Sequence, residues 1–393
     1  MDVPSTLHGM GSPFDVTVAE LRRRTSLKWH TYPDDVLPAF VAEMDVRPLD
    51  AVVTAVHGAM LAGDTGYEVG PASPRGTAYA EAFADFAARH HGWDVPVDRT
   101  RLVPDVMLGG VELVRLVSAP GDAVVINPPV YPPFRSFLEH AGRRVVTAPL
   151  TPAGRLDLDA LDRAFAGARA YLLCHPHNPT GTLHTADELR AVGDLAARHG
   201  VRVVADEIHA PLAVGDEPFV PTTTVIPDAI ALHSASKAFN LAGLKAALAV
   251  PGAAADDLTR LPEIVGHGVS HVASIAHQAA YRHGEPWLAD VRASIRQHQE
   301  MVDAALTERL PSARWHRPAA TYFAWLDVRD TPAVAGSGTD PARLLLHRGR
   351  LAVNSGPTFG DEGAGHVRLN LATSPQILAD ALDRLVTTLA ARA

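Results

Sequence analysis

Through the middle of this chain, short apolar runs alternate with longer segments of helical spacing, and that alternation narrows the available folds more than any other feature. Ala123–Asn127 (AVVIN), Arg144–Ala148 (RVVTA), Ala170–Cys174 (AYLLC) and Val201–Ala205 (VRVVA) read as short buried strands. Helical material separates them. Pro133–Gly142 lies between the first two, and Thr185-Ala186-Asp187-Glu188 opens a helix with a capping box that runs to His199 and stops at Gly200. Ala229–His233 and Ala246–Val250 add strand candidates. This βαβ order predicts an α/β fold with a mostly parallel sheet covered by helices. Upstream, Asp50–Gly63 and Thr77–His91 carry helix-like apolar spacing.

The pattern changes after Pro251. Leu261–His283 and Pro286–Leu310 read as helices, Tyr322–Val328, Leu351–Asn354 and His366–Ala372 as strands, and Pro375–Ala391 as a final helix. This tail predicts a second, smaller α+β domain, with Asp330–Asp340 its most loop-like stretch. The first forty residues hold short, Pro-broken segments and read as an arm that packs on another surface. At 393 residues, 47% hydrophobic and 20% charged, the chain is long enough for a large core and one or two domains. A net charge of −9 with no Lys/Arg block argues against a nucleic-acid partner. No apolar run reaches the ~20 residues that span a bilayer, and no membrane association is expected. Met1–Pro13 lacks the basic and apolar regions of a secretory signal, and Cys174 is the single cysteine, so cytoplasm is the expected location.

The chemistry concentrates in a few stretches. Lys237 lies in Ser234-Ala235-Ser236-Lys237-Ala238-Phe239-Asn240-Leu241-Ala242-Gly243-Leu244-Lys245. A lysine between small hydroxyl residues and a Gly-containing apolar run suits an amine that must reach an aldehyde beside a flat ring, although such a run also occurs on exposed loops. Asp206 ends the strand VRVVA, which places its carboxylate at the carboxyl end of a parallel strand, where open α/β sheets bind ligands. The alternative is a strand-end Asp that caps the next turn. Asn178 lies in His175-Pro176-His177-Asn178-Pro179-Thr180-Gly181, where Pro-Thr-Gly forces a turn. Tyr131, in Pro128-Pro129-Val130-Tyr131-Pro132-Pro133-Phe134, can stack on a ring or belong to the core. Arg368 in Val367-Arg368-Leu369-Asn370-Leu371 carries a guanidinium that matches a carboxylate bidentately. His175 and His177 supply only two imidazoles and no thiolate pattern, so no metal site is read.

Taken in order, HNPTG (177–181), Asp206-Glu207-Ile208-His209 and SKAFNLAGLK (236–245) resemble the fold-type I pyridoxal-phosphate enzymes of the aminotransferase class I/II family. Within it they look most like the cystathionine β-lyase-type C–S lyases (the MalY/PatB group). The resemblance runs from Lys28-Trp29 to Arg368. It implies the PLP-dependent transferase-like fold of aspartate aminotransferase. Residues 49–285 would form a large cofactor-binding domain, and 286–393 a small domain joined by the arm, 1–48.

The implied cofactor is pyridoxal 5′-phosphate (PLP). Lys237 becomes the amine that bonds its aldehyde and the base at the substrate Cα. Asp206 becomes the partner of the pyridine nitrogen, and Asn178 and His209 donors to the ring oxygen. Tyr131 provides the stacking face. The phosphate falls to Ser234, Ser236, Lys245 and the backbone amides of Val106 and Met107. Asp105 stands where relatives tend to carry glycine, and an anion is unfavourable there unless it points away. Arg368 would clamp the substrate α-carboxylate, with Ala42 and Tyr67 in the same pocket. Tyr67 would also cross to the partner's phosphate in a homodimer with shared active sites. A tyrosine that merely follows the turn residue Gly66 is the other reading.

Phe40-Val41-Ala42-Glu43-Met44-Asp45 resembles WVADMDF, with Phe40 for Trp and Glu43 for Asp, and His175 stands where Asn is expected. The departures at Phe40, Asp105 and His175 imply a specialised pocket for a bulky thioether. The implied activity is β-elimination from a cysteine S-conjugate to a thiol, pyruvate and ammonia. An amino-acid aminotransferase and a biosynthetic enzyme with altered PLP chemistry stay open. A transcription factor on this fold would need an added winged-helix domain, for which this pattern leaves no expected room. A regulatory contact on a lyase surface stays open.

Overall fold

The computed structural model describes residues 12–70 and 77–391, so most of the Met1–Pro13 segment lies outside the described residues. Seven strands form the central sheet: β1 (Arg101–Val103), β2 (Ala123–Ile126), β3 (Arg144–Thr147), β4 (Ala168–Cys174), β5 (Arg202–Asp206), β6 (Ile230–His233) and β7 (Ala247–Pro251). Their order is β1-β7-β6-β5-β4-β2-β3. β2 to β6 run parallel, while β7 is antiparallel to β6 and β1 to β7. The sheet is therefore mostly parallel, as expected. Side chains alternate between its faces with the period of a strand. Val124, Ile126, Leu172, Val204 and Leu232 join one core cluster, while Val125, Tyr171, Leu173, Val203 and Ala231 join another. Each fully buried aliphatic side chain contributes about 1.5–3 kcal/mol, so both faces need helical cover.

Two of those helices bear on the site. α1 (Val106–Val117) follows β1, and Asp105 caps it by accepting the Leu108 N–H. Gly109 lets α1 lie hard against the sheet: a Cβ there would stand 2.7 Å from a Val103 methyl and 3.0 Å from one of Leu232. α2 (Ala186–His199) carries both halves of the Thr185/Glu188 capping box and ends at Gly200, whose φ of 68° is left-handed. It covers the β4–β5 crossover as the βαβ reading expects.

The long helix α3 (Glu285–Arg309) changes partners along its length. Leu288, Val291 and Ile295 pack with Phe239 and Tyr281 of the sheet-bearing body. Val302 and Leu306 pack instead with Val16, Leu21 and Trp29 of the arm and with Val367 and Leu385. Beyond α3, an antiparallel sheet of β8 (Arg314–Trp315), β9 (Phe323–Asp327), β10 (Asn354–Ser355) and β11 (His366–Asn370) has the order β10-β11-β9-β8. The arm adds Leu37–Pro38, paired in parallel with Leu351–Ala352.

Some local structure departs from the sequence reading. The helix expected over Leu261–His283 is two helices, Glu263–His267 and His271–His283, because Ser270 accepts the Ala273 N–H and starts the second. The helices Leu158–Phe165 and Pro341–His347 were not anticipated, although their caps, Asp157 and Asp340, are the signals that mark them. Among the described residues, no helix is long and apolar enough to cross a membrane.

Candidate active site

A cavity of about 380 Å³ opens where the parallel strands end, with Ala42 of the arm in its wall. β4 and β5 finish side by side, Cys174 opposite Asp206, which delivers the Asp206 carboxylate to the cavity. Among the described residues, this carboxylate accepts one hydrogen bond, from the Ile208 N–H at 3.1 Å. Burial pushes this carboxyl up to about 7 against the opposing pull of that N–H and of Lys237. Lys237 follows β6. Its side chain is half-buried and borders the cavity, and Nζ donates to the Ala42 carbonyl at 3.3 Å. Burial first, then the Arg368 charge, bring this amine down to about 8, with Asp206 opposing.

These two groups make a pH prediction for the cofactor-free protein. Folded Asp206 keeps its proton to about pH 7, whereas the ordinary carboxyl releases it near 3.8. Its contribution to stability therefore falls as pH rises from 4 towards 7. Lys237 gives up its proton near pH 8 rather than 10.5, so its contribution rises above pH 8. Asp206→Asn should thus change the melting temperature little at pH 4 and raise it progressively above that, by several degrees relative to the parent at pH 7–8. Thermal melts across that range check this, and a difference independent of pH would count against a buried, ionising Asp206.

Arg368 rises from β11 but does not itself line the cavity. It reaches the site through Asn178, whose Oδ1 accepts from Nη1 at 2.8 Å. Nη2 donates to Asn354 Oδ1 at 2.7 Å and to the Phe40 carbonyl at 3.3 Å. The guanidinium sits 4.0 Å over the Phe323 ring and 5.0 Å from that of Phe359, and burial lowers it to about 10. Arg368 Nε has no partner among the described residues. The bond to Oδ1 also turns the Asn178 amide so that its N–H groups stay available to the cavity that Asn178 lines.

His209 and Tyr131 also line the cavity. Burial, with Lys237 and Arg368 nearby, drives the His209 imidazole well below its usual range and keeps it neutral. His209 Nδ1 is buried without a partner among the described residues. Tyr131 lies edge-on to Phe134, and burial and the Asp206 charge push its hydroxyl up.

The first turn of α1 also reaches the cavity. Val106 and Met107 line the cavity there, and N–H groups in a helix's first turn have no intrahelical acceptor. Ser234 and Ser236 are in the wall, but the Ser234 hydroxyl donates to the Ala246 carbonyl at 2.8 Å. Lys245 Nζ stands 3.2 Å from Asp105 Oδ2.

Tyr67 is not brought to this cavity. It is 94% exposed on the surface of the chain. His175 also lies elsewhere, so its reading as a pocket change is corrected. It is fully buried, stacked between His184 and Phe219, with Nε2 3.0 Å from the Val220 carbonyl. Its substitution is a core matter. Among the described residues, no group of three or more His, Cys, Asp or Glu side chains is placed to hold a metal ion.

Several residues of the site escaped the sequence reading. Asn370 Nδ2 donates to the carbonyls of Val41 and Glu43, both at 2.7 Å. Asn240, at a left-handed φ of 56°, grips the Met44 backbone through both its amide groups. The Tyr322 hydroxyl donates to the Ala42 carbonyl at 3.0 Å. A buried pair, Lys28 to Asp45 at 2.8 Å, with the Trp29 indole on the same carboxylate, anchors the far side. Together they hold segment 40–45 over Lys237. Asn370 could have been suspected from its place on the Arg368 face of VRLN, and Asn240 from its place within the lysine stretch.

Comparison with known proteins bears on this geometry. The family model for aminotransferase class I and II matches residues 48–385. A Mycobacterium tuberculosis protein provisionally named cystathionine beta-lyase is 48% identical, over 96% of this chain and 98% of that protein. The cystathionine beta-lyase of Corynebacterium glutamicum is 32% identical, over 94% of this chain and 98% of its own. The crystal structure of a provisionally identified PLP-dependent beta-cystathionase from Corynebacterium diphtheriae is 31% identical. It matches with a TM-score of 0.89 over 98% of this chain and 100% of that one.

Proposed function

Because this chain belongs to the aminotransferase class I and II family, we propose that it is a PLP-dependent C–S β-lyase acting on a cysteine S-conjugate. Identity of 48% over nearly the full length to a protein provisionally named cystathionine beta-lyase is the observation that carries this reading. The residues fit the cofactor. A cavity of about 380 Å³ collects a half-buried amine, a buried carboxylate and, at His209 Nδ1, a buried polar atom without a partner among the described residues. Such groups are costly to leave unmet.

Asp206 would hold the pyridine nitrogen, Asn178 and His209 the ring oxygen, and Tyr131 the ring face. Val106, Met107, Ser234, Ser236 and Lys245 would hold the phosphate. When bound, the cofactor supplies an electron-withdrawing ring that stabilises negative charge at the substrate Cα. Lys237 takes the Cα proton, a role suited to an amine held near 8 because a far larger share of it is neutral at pH 7 than of an ordinary lysine. The Cβ–S pair leaves with sulfur, which departs as a thiol once protonated. One water completes the balance, so that R–S–CH2–CH(NH3+)–COO− and water become R–SH, pyruvate and ammonium. Arg368 receives the α-carboxylate and so fixes which bond at Cα faces Lys237.

The same reading makes the chain a cytoplasmic homodimer in which Tyr67 meets the partner's site. The 94% exposure of Tyr67, with Leu61 at 76% and Met60 at 58% on the preceding helix, supports this. The division into 49–285, against 1–48 with 286–393, is supported by the change of core partners along α3. Supplying L-cystathionine with no keto acid tests the chemistry. Pyruvate accumulation over many turnovers is expected. Stoichiometric conversion of the cofactor to its amine form without pyruvate would mean transamination instead. Sedimentation at the 41.8 kDa mass of one chain would overturn the dimer.

A further inference from the structure

The cavity wall holds two lysines, Lys237 and Lys245, and two acids, Asp105 and Asp206. Lys237 and Asp206 serve the ring end in the proposed chemistry, which leaves Asp105 and Lys245 beside the first turn of α1. The two are joined, Lys245 Nζ lying 3.2 Å from Asp105 Oδ2. The other oxygen, Oδ1, accepts the Leu108 N–H at 2.8 Å and caps α1. A single carboxylate thus sits across the positive end of the helix and also holds the nearby ammonium. Helix N-termini attract anions through their free N–H groups, and a resident carboxylate competes for that attraction. Of the neutral donors, the Ser234 hydroxyl is already given to the Ala246 carbonyl.

Resting on the PLP reading above, we propose that Asp105 is a positioning residue that sets how weakly this chain holds the cofactor's phosphate. The Asp105–Lys245 pair is charge-cancelled, so a phosphate carrying about −1.5 to −2 at pH 7 meets no net positive side-chain charge at its end of the cavity. Its hold comes from backbone N–H groups of α1 and from hydroxyls. A dianion a few ångströms from Asp105 is repelled as much as Lys245 draws it. The phosphate's share of the affinity is therefore smaller than it would be without the Asp105 charge.

The test compares two probes, pyridoxal 5′-phosphate and pyridoxal, titrated into cofactor-stripped protein and followed by absorbance. Asp105→Asn is the informative variant, because Asn caps a helix about as well as Asp while carrying no charge. Melting of the cofactor-free variants confirms that α1 is kept. Asp105→Asn should tighten pyridoxal 5′-phosphate roughly tenfold, about the effect of one partly exposed unit charge at close range, and leave pyridoxal unchanged. The gain should shrink as salt is raised, since exposed charges are screened. The double variant Asp105→Asn/Lys245→Met, with both charges gone, should return to the parental affinity. An unchanged or weakened preference for the phosphorylated probe in Asp105→Asn overturns the proposal, as does a double variant that keeps the full gain. If the parent binds neither probe, the PLP reading itself fails. If the parent binds the phosphorylated probe and only the Asp105 effects are missing, this inference alone falls.

Discussion

Lys237→Ala should abolish turnover of any cysteine S-conjugate, by roughly a thousandfold or more, because a positioned base alone is worth about 10²–10⁴ and this residue is also the proposed covalent anchor. The site offers no substitute. The next ammonium in the cavity wall is Lys245, which is 58% exposed and paired with Asp105. His209 is kept neutral by burial and by two neighbouring cations, so its imidazole is poorly suited to take up a proton. Two readouts separate loss of chemistry from loss of fold. Treatment with the cofactor and borohydride should add a phosphopyridoxyl mass to the Lys237 peptide of the parent and none to the corresponding peptide of the variant. The melting temperature of the cofactor-free variant should not fall, since an amine held at about 8 is desolvated at a cost that alanine does not bear. Retained pyruvate release by Lys237→Ala would remove the lysine from the mechanism.

Arg368→Lys should lower kcat/KM for L-cystathionine by about two to three orders of magnitude, the usual range for disrupting a buried, hydrogen-bonded charge at a recognition site. The guanidinium serves Asn178 and Asn354 from separate nitrogens, at 2.8 and 2.7 Å, while lying 4.0 Å over Phe323. A lysine ammonium is a point charge that can neither fork between those acceptors nor stack as a plane on the ring. Cofactor absorbance should survive the substitution. The control is an S-conjugate of cysteamine, which has no α-carboxylate. The parent should process it poorly and Arg368→Lys no worse. An equal loss on both substrates would mean that Arg368 acts by holding Asn178 and not by receiving a carboxylate.

The elements that could be read from sequence share a physical basis. Strands buried on both faces carry continuous apolar runs, so β2, β4, β5 and β6 stand out in the chain, and the α2 cap is a strictly local hydrogen-bond pattern. β3, expected to be buried as well, is the edge strand, and its Arg144 and Thr147 are exposed. By contrast, β1 is three residues long and takes its identity from pairing with β7, far away in sequence. Nothing local marks it. The lysine, the strand-end Asp206 and the Asn178 turn were legible because each lies in a stretch whose residue types are constrained together. The braces over the site were not. Asn370, Tyr322 and Asn240 act on backbone carbonyls or amides of segment 40–45, and a carbonyl has no signature in the sequence that provides it.

The treatment of charge divides in the same way. From the sequence, Asp105 could only be seen as an anion near an expected phosphate. Its orientation, one oxygen on the Leu108 N–H and the other on Lys245, depends on how α1 and the segment after Lys237 meet in space. His175 shows the converse: a residue inside a site motif whose side chain turns into the core against Phe219. The sequence by itself determined the α/β class, the family and the order of the chemical groups, because apolar periodicity and short motifs are properties of neighbouring residues. Only the tertiary structure decided that Arg368 is hydrogen-bonded to Asn178, that the arm reaches over Lys237, and that burial moves Lys237 and Asp206 towards neutral pH. Desolvation and charge pairing are sums over groups far apart in the chain, and those sums exist only once it has folded.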